Sequence, residues 1–134
     1  MKKPIPKTNR TTFLAFAGIL VLILLVYLFR APKRDVPDDL IGEWHTTDAT
    51  YADRSFEITQ VSISFTTGGG TVSTGVIKEI KTVEDGNRTL YTFIYDVDGT
   101  RNELSFYYEP SSAKGTVIRF KNQQNTIWTK DETS

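Results

Sequence analysis

From Thr12 to Phe29 the chain reads TFLAFAGILVLILLVYLF, without one charged residue, Pro, Asn or Gln. At about 1.5 Å rise per residue, a helix of this length spans ~27 Å, close to the ~30 Å hydrocarbon core of a bilayer. Lipid offers backbone N–H and C=O groups no partner, so a run of this kind satisfies them only as a helix. The remainder is polar, rich in turn residues and patterned in alternation. The expected architecture is one N-terminal transmembrane helix at 12–29 followed by a small all-β domain.

Charge divides the chain at the same place. No Asp or Glu precedes Asp35, whereas Lys2, Lys3, Lys7, Arg10, Arg30, Lys33 and Arg34 flank the apolar run. From Asp35 onward, sixteen acids face nine Lys or Arg residues, so the zero formal net charge sums two unlike parts. An acidic domain of about −7 is a poor match for a phosphate backbone, which argues against nucleic acid as a partner. The partner implied by the sequence is the lipid bilayer, through residues 12–29.

A cleaved secretory signal has an apolar region of ~7–15 residues and small residues before the cut. Here Phe29 stands two residues before Ala31, and Ala15-Phe16-Ala17 lies too early to leave an apolar region ahead of it. With no Cys in the chain, a lipid-modified cysteine is excluded as anchor. The expectation is a retained signal-anchor. Four basic residues plus the terminal amine precede the run and three basic residues follow it, favouring a cytoplasmic N-terminus and an exported C-terminal domain, periplasmic or extracellular. The organisation read from this is a basic tail at 1–11, the helix at 12–29, a spacer at 30–37 stiffened by Pro32 and Pro37, a β-domain at 38–130 and a disordered tail at 131–134.

Within the domain the hydrophobic period is two. Val61, Ile63 and Phe65 alternate with Ser62, Ser64 and Thr66; Leu104, Phe106 and Tyr108 alternate with Glu103, Ser105 and Tyr107; Ile118 and Phe120 alternate with Arg119 and Lys121. Turn chemistry at Gly68-Gly69-Gly70, Asp85-Gly86-Asn87, Asp98-Gly99, Pro110-Ser111-Ser112 and Asn122–Asn125 separates these segments. The predicted strands are 40–46, 55–59, 61–66, 71–83, 88–97, 102–109, 115–121 and 125–130, with the break near Gln60 the least marked. Adjacent Val76 and Ile77 spoil the alternation and predict a bulge. Seven to eight short strands joined by hairpins make an antiparallel meander or small β-barrel. Closure into a barrel would remove the two reactive edges.

At the first strand, Leu40-Ile41-Gly42-Glu43-Trp44 resembles the G-x-W opening of the lipocalin and fatty-acid-binding (calycin) barrels. The resemblance implies that Trp44 plugs the closed end, with a basic side chain from a late strand, Arg119 or Lys121, packed across it. It also implies that the connection after strand one lies over the open end, where a ligand enters. A Thr-Asp-x-Arg type loop, the family's second motif, is missing from the matching region, and the domain is shorter than a standard lipocalin.

The remaining candidates for chemistry have structural readings. His45 is the sole histidine and falls opposite Trp44 on a strand, a surface position. Asp96-Val97-Asp98-Gly99 lacks the third acid and terminal Glu of a calcium loop and fits a hairpin tip. The three glycines at 68–70 precede a strand, not a helix N-terminus, and are no phosphate cradle. Asp48, Asp53 and Glu57 flank the loop after strand one, as solvated acids. On that same loop Tyr51 and Arg54 are the candidate rim of a binding site. No catalytic constellation, metal motif or cofactor motif is present. The function expected is a membrane-anchored, non-catalytic binding or interaction module that holds a small apolar ligand or presents a surface to an envelope protein. The alternative is a structural accessory subunit of an envelope membrane complex. Small residues suited to helix packing are confined to Ala15, Ala17 and Gly18, which favours simple tethering.

Overall fold

The structure, a computed structural model, describes residues 10–29 and 34–130. The expected basic tail before Arg10, the first half of the spacer (30–33) and the tail at 131–134 lie outside the described residues. The chain divides into two units, Met1–Ala31 and Pro32–Ser134. In the first, α1 (Arg10–Phe29) is a single 20-residue helix, about 30 Å long, apolar on every side and with no buried residue. A helix apolar all round has no solvated face, so it is long and apolar enough to cross a membrane and has the character of a signal sequence as well.

In the second unit the period-two segments become eight strands: β1 (Gly42–His45), β2 (Ser55–Ile58), β3 (Ser62–Thr66), β4 (Val72–Asp85), β5 (Arg88–Val97), β6 (Thr100–Ser112), β7 (Gly115–Phe120) and β8 (Gln123–Lys130). Each pairs antiparallel with the next, and β1 pairs with β8 to close the barrel. The break at Gln60 is real, since Thr59 turns the chain by bonding back to Ser62. The bulge also falls where the alternation fails, with a register shift between Ile77 and Glu79. Several boundaries differ from expectation: β4 runs on to Asp85 and β6 starts already at Thr100. β6 continues through Pro110 to Ser112, because a second register shift between Glu109 and Ser112 accommodates a residue with no N–H to give the ladder. β8 begins at Gln123, inside the stretch read as a turn. Leu40 is not in a strand but in a 3-10 turn, Asp38–Leu40, before β1.

That turn stops one end of the barrel. Leu40 is fully buried, and Val36, a residue expected in the spacer, is only 4% exposed. Both join a core of Trp44, Phe56, Ile58, Ile63, Phe93, Phe106 and Ile118 that fills the interior. The Trp44 indole N–H donates to the Leu40 carbonyl at 3.0 Å, so the one polar atom of a fully buried Trp is satisfied by the stopper itself. Lys130, at the end of β8, lays its ammonium 5.7 Å from the Trp44 ring centre and donates to the carbonyls of Asp39 and Ile41, both at 3.1 Å. Room for its stem comes from Gly42, where a Cβ would stand 2.6 Å from Lys130 Cδ and where φ is +137°. The basic side chain across Trp44 is therefore Lys130. Arg119 lies on the outer surface, its Nε 2.6 Å from Glu109 Oε2 and its Nη1 bonded to the Gln124 carbonyl. The reason is parity: Ile118 and Phe120 face inward, so Arg119 cannot.

Three inward tyrosines, Tyr91, Tyr95 and Tyr108, make alkaline pH the vulnerable side. Burial raises each phenol above its ordinary value near 10; Glu84 and Asp39 add to the effect on Tyr91, and Asp39 and Tyr91 add to it on Tyr108. The unfolded chain then releases these protons first. Stability is fully present below pH ~10 and falls as pH rises through the higher native values. Urea midpoints at pH 8 and pH 11 should differ, and Tyr91→Phe should flatten the difference. An unchanged midpoint at pH 11 would contradict this assignment.

Candidate binding site at the open end

The opposite end carries the loop 46–54 and the β3–β4, β5–β6 and β7–β8 turns. Its longest segment, 46–54, is organised by Asp48. One carboxylate oxygen accepts the Thr50 N–H at 2.9 Å, and the other accepts the hydroxyl of Thr126, a buried residue of β8, at 3.2 Å. Backbone bonds from Tyr51 N–H to Asp48 O (3.0 Å) and from Arg54 N–H to Tyr51 O (2.9 Å) coil the loop into consecutive turns. The coil carries Tyr51 across the mouth, where its hydroxyl accepts from Gln123 Nε2 at 3.3 Å. Asp53 packs against Gly68, where any side chain would collide with its carboxylate. The first glycine of the β3–β4 tip thus serves close approach of two loops. At the β5–β6 tip, Asp98 and Gly99 both have positive φ (48° and 81°), the backbone that a two-residue hairpin demands.

Beneath this loop is a cavity of ≈180 Å³. Its walls are Phe56, Phe65, Phe120 and Trp128, and its rim includes Tyr51, Arg54 and Gln123. Phe56 is the centre of the aromatic set: its ring centre is 5.2 Å from that of Trp128, 5.3 Å from Phe120, 6.3 Å from Phe65 and 6.2 Å from Trp44. It is the partition between the filled interior and the mouth. The Arg54 guanidinium sits 5.5 Å from the Tyr51 ring centre, so the rim cation rests on an aromatic face. Tyr51 and Arg54, the two rim candidates from the sequence, therefore line the same cavity. The lining holds no carboxylate and no imidazole. Such an arrangement can bind by apolar contact and a few polar groups at the edge; it offers no base to activate a nucleophile.

The other candidate residues lie elsewhere. His45 is 40% exposed, on the outer surface beside Glu43 at 3.5 Å. Glu57 is exposed on β2. Asp48 is bonded to Thr50 and Thr126, and the Asp53 carboxylate lies against Gly68. Among the described residues no group of three His, Cys, Asp or Glu side chains is placed to hold a metal. A second cavity, ≈220 Å³, lies at the stoppered end between Asp39, Tyr108 and Lys114, but the Lys130 ammonium beside it is already held by two carbonyls. Phe65, Phe120, Gln123 and Trp128 were not among the site candidates. The alternation marks Phe65, Phe120 and Trp128 as inward, yet does not say at which height in the barrel they stand. Gln123 carried no signal. No family model, no curated protein and no solved structure matches this chain.

Proposed function

We propose that this chain is a membrane-anchored, non-catalytic binding module that takes a small apolar molecule at the open end of its barrel. In this reading α1 is the retained anchor, and the barrel is exported from the cytoplasm. The observation that carries the proposal is the aromatic-walled cavity with Tyr51, Arg54 and Gln123 at its rim, opposite the end stoppered by Asp38–Leu40. A lipocalin-like origin is part of the proposal, supported by the Gly42-Glu43-Trp44 opening and by the closed eight-strand meander. The guest differs from a long acyl chain. Trp44, Phe56, Phe93 and Phe106 occupy the space that such a ligand would need, and ≈180 Å³ is below the ~300–1,000 Å³ of sites for drug-sized molecules.

Native mass spectrometry of the full chain, purified from an exporting host and released from nanodiscs, tests the reading. A low-mass adduct that survives desolvation is expected. An unliganded mass under every release condition would count against a resident ligand. Reporter fusions at Ser134 test the topology, and activity of a cytoplasm-only reporter there would overturn it.

A further inference from the structure

Trp128 has a defect that the other tryptophan lacks. It is 4% exposed, it forms part of the cavity wall, and its indole N–H has no hydrogen-bond acceptor among the described residues. A buried donor left unpaired is costly, and native proteins satisfy the great majority of such groups. Trp44, equally buried, has the Leu40 carbonyl. Around Trp128 stand the rings of Phe56 at 5.2 Å and Phe120 at 5.5 Å between centres, and neither ring offers an oxygen or nitrogen acceptor. The cavity that the Trp128 side chain helps to line, ≈180 Å³, slightly exceeds the volume of about 150 Å³ that accommodates benzene in an apolar protein core.

Size and donor together define a ligand class. We infer that the open end receives one planar, single-ring molecule bearing a hydrogen-bond acceptor, the ring seated among Phe56, Phe65 and Phe120 and the acceptor taken by the Trp128 indole N–H. The inference rests on the open end being the binding end, as proposed above. The N–H is sealed from solvent, so the guest reaches it only as the Trp128 ring yields. Binding therefore moves this indole rather than merely covering it. Tyr51 and Gln123, bonded to each other above the cavity, are the groups that part to admit the guest.

The test uses the full chain in nanodiscs, ¹⁵N-labelled, with benzamide and toluene as probes at measured free concentrations. The two tryptophans give two indole N–H resonances, assigned with Trp128→Phe, in which the surviving Trp44 signal also reports that the barrel is folded. Benzamide should shift the Trp128 indole proton downfield, and Trp128→Phe should weaken benzamide about tenfold, the size of one hydrogen bond. Toluene, which has no acceptor to lose, should change severalfold less between the two proteins than benzamide does. If both probes perturb Phe65 and Phe120 while the Trp128 N–H stays unmoved, the acceptor requirement is wrong and the binding end stands. If neither probe moves any resonance at the mouth, both the inference and the binding end are overturned.

Discussion

Trp44→Ala should lose about 3–5 kcal/mol, through lost burial and the cavity left behind. The residue is fully buried, stacks within 7° of parallel on Phe56, and its N–H holds the Leu40 carbonyl. Its loss therefore loosens three things together: the core, the stopper turn and the Lys130 side chain that lies over the ring. A domain of this size has only about 5–15 kcal/mol in total, so the variant should be barely folded at 37 °C. The adjacent His45→Ala is the control. His45 is 40% exposed on the opposite face and should change stability by no more than about 0.5 kcal/mol. Urea denaturation of the two variants side by side decides the matter, and a Trp44→Ala midpoint equal to that of wild type would refute the role assigned to the stopper.

Phe56→Ala should be nearly as damaging, again about 3–5 kcal/mol, for a different reason. Phe56 touches four aromatic neighbours and divides the packed interior from the open-end cavity. Its removal leaves a void continuous with the cavity already present. The variant should therefore bind a two-ring probe such as naphthalene more tightly than wild type does. Stability is read by urea midpoint and binding by fluorescence titration. A loss below about 1 kcal/mol would mean that the barrel collapses around the site, and naphthalene binding no tighter than in wild type would say the same of the void.

Much of the barrel was legible because alternation is a local property. A run such as Val61 to Thr66 has one pattern and one structural solution when a single face is buried. Even the β4 bulge was readable, since Val76 beside Ile77 breaks the alternation within a strand. What was not legible depends on distant partners. Val36 is an isolated apolar residue between Asp35 and Pro37, with no period to mark it, and Leu40 reads as part of the first strand rather than of the turn that precedes it; both are buried because the closed barrel offers a bottom to plug. Lys130 could not be singled out over Arg119 or Lys121 until register put its stem beside Gly42, although the parity of Ile118 and Phe120 already pointed Arg119 outward. Pro110 read as a turn because the bulge that tolerates it involves β7. At the mouth, Tyr51 and Arg54 were visible as features of a long loop. Trp128 and Gln123 were not, because their height in the barrel follows from the shear between strands.

The seam between β1 and β8 has a consequence for how the protein is made. It consists of two residue pairs, Trp44 with Lys130 and His45 with Thr129, whereas β4 and β5 are joined along most of their length. Of the eight barrel strands, the first to be made is thus the partner of the last. From the moment β1 emerges until residue 130 is available, its outer edge has no native neighbour, and every intermediate length of chain is an open sheet with two exposed edges. Chains of this topology are at their most adhesive while they are incomplete. Short hairpins can form in sequence order along the meander, but closure waits for the C-terminus, so a chain truncated before β8 is not a smaller barrel but an unsealed sheet.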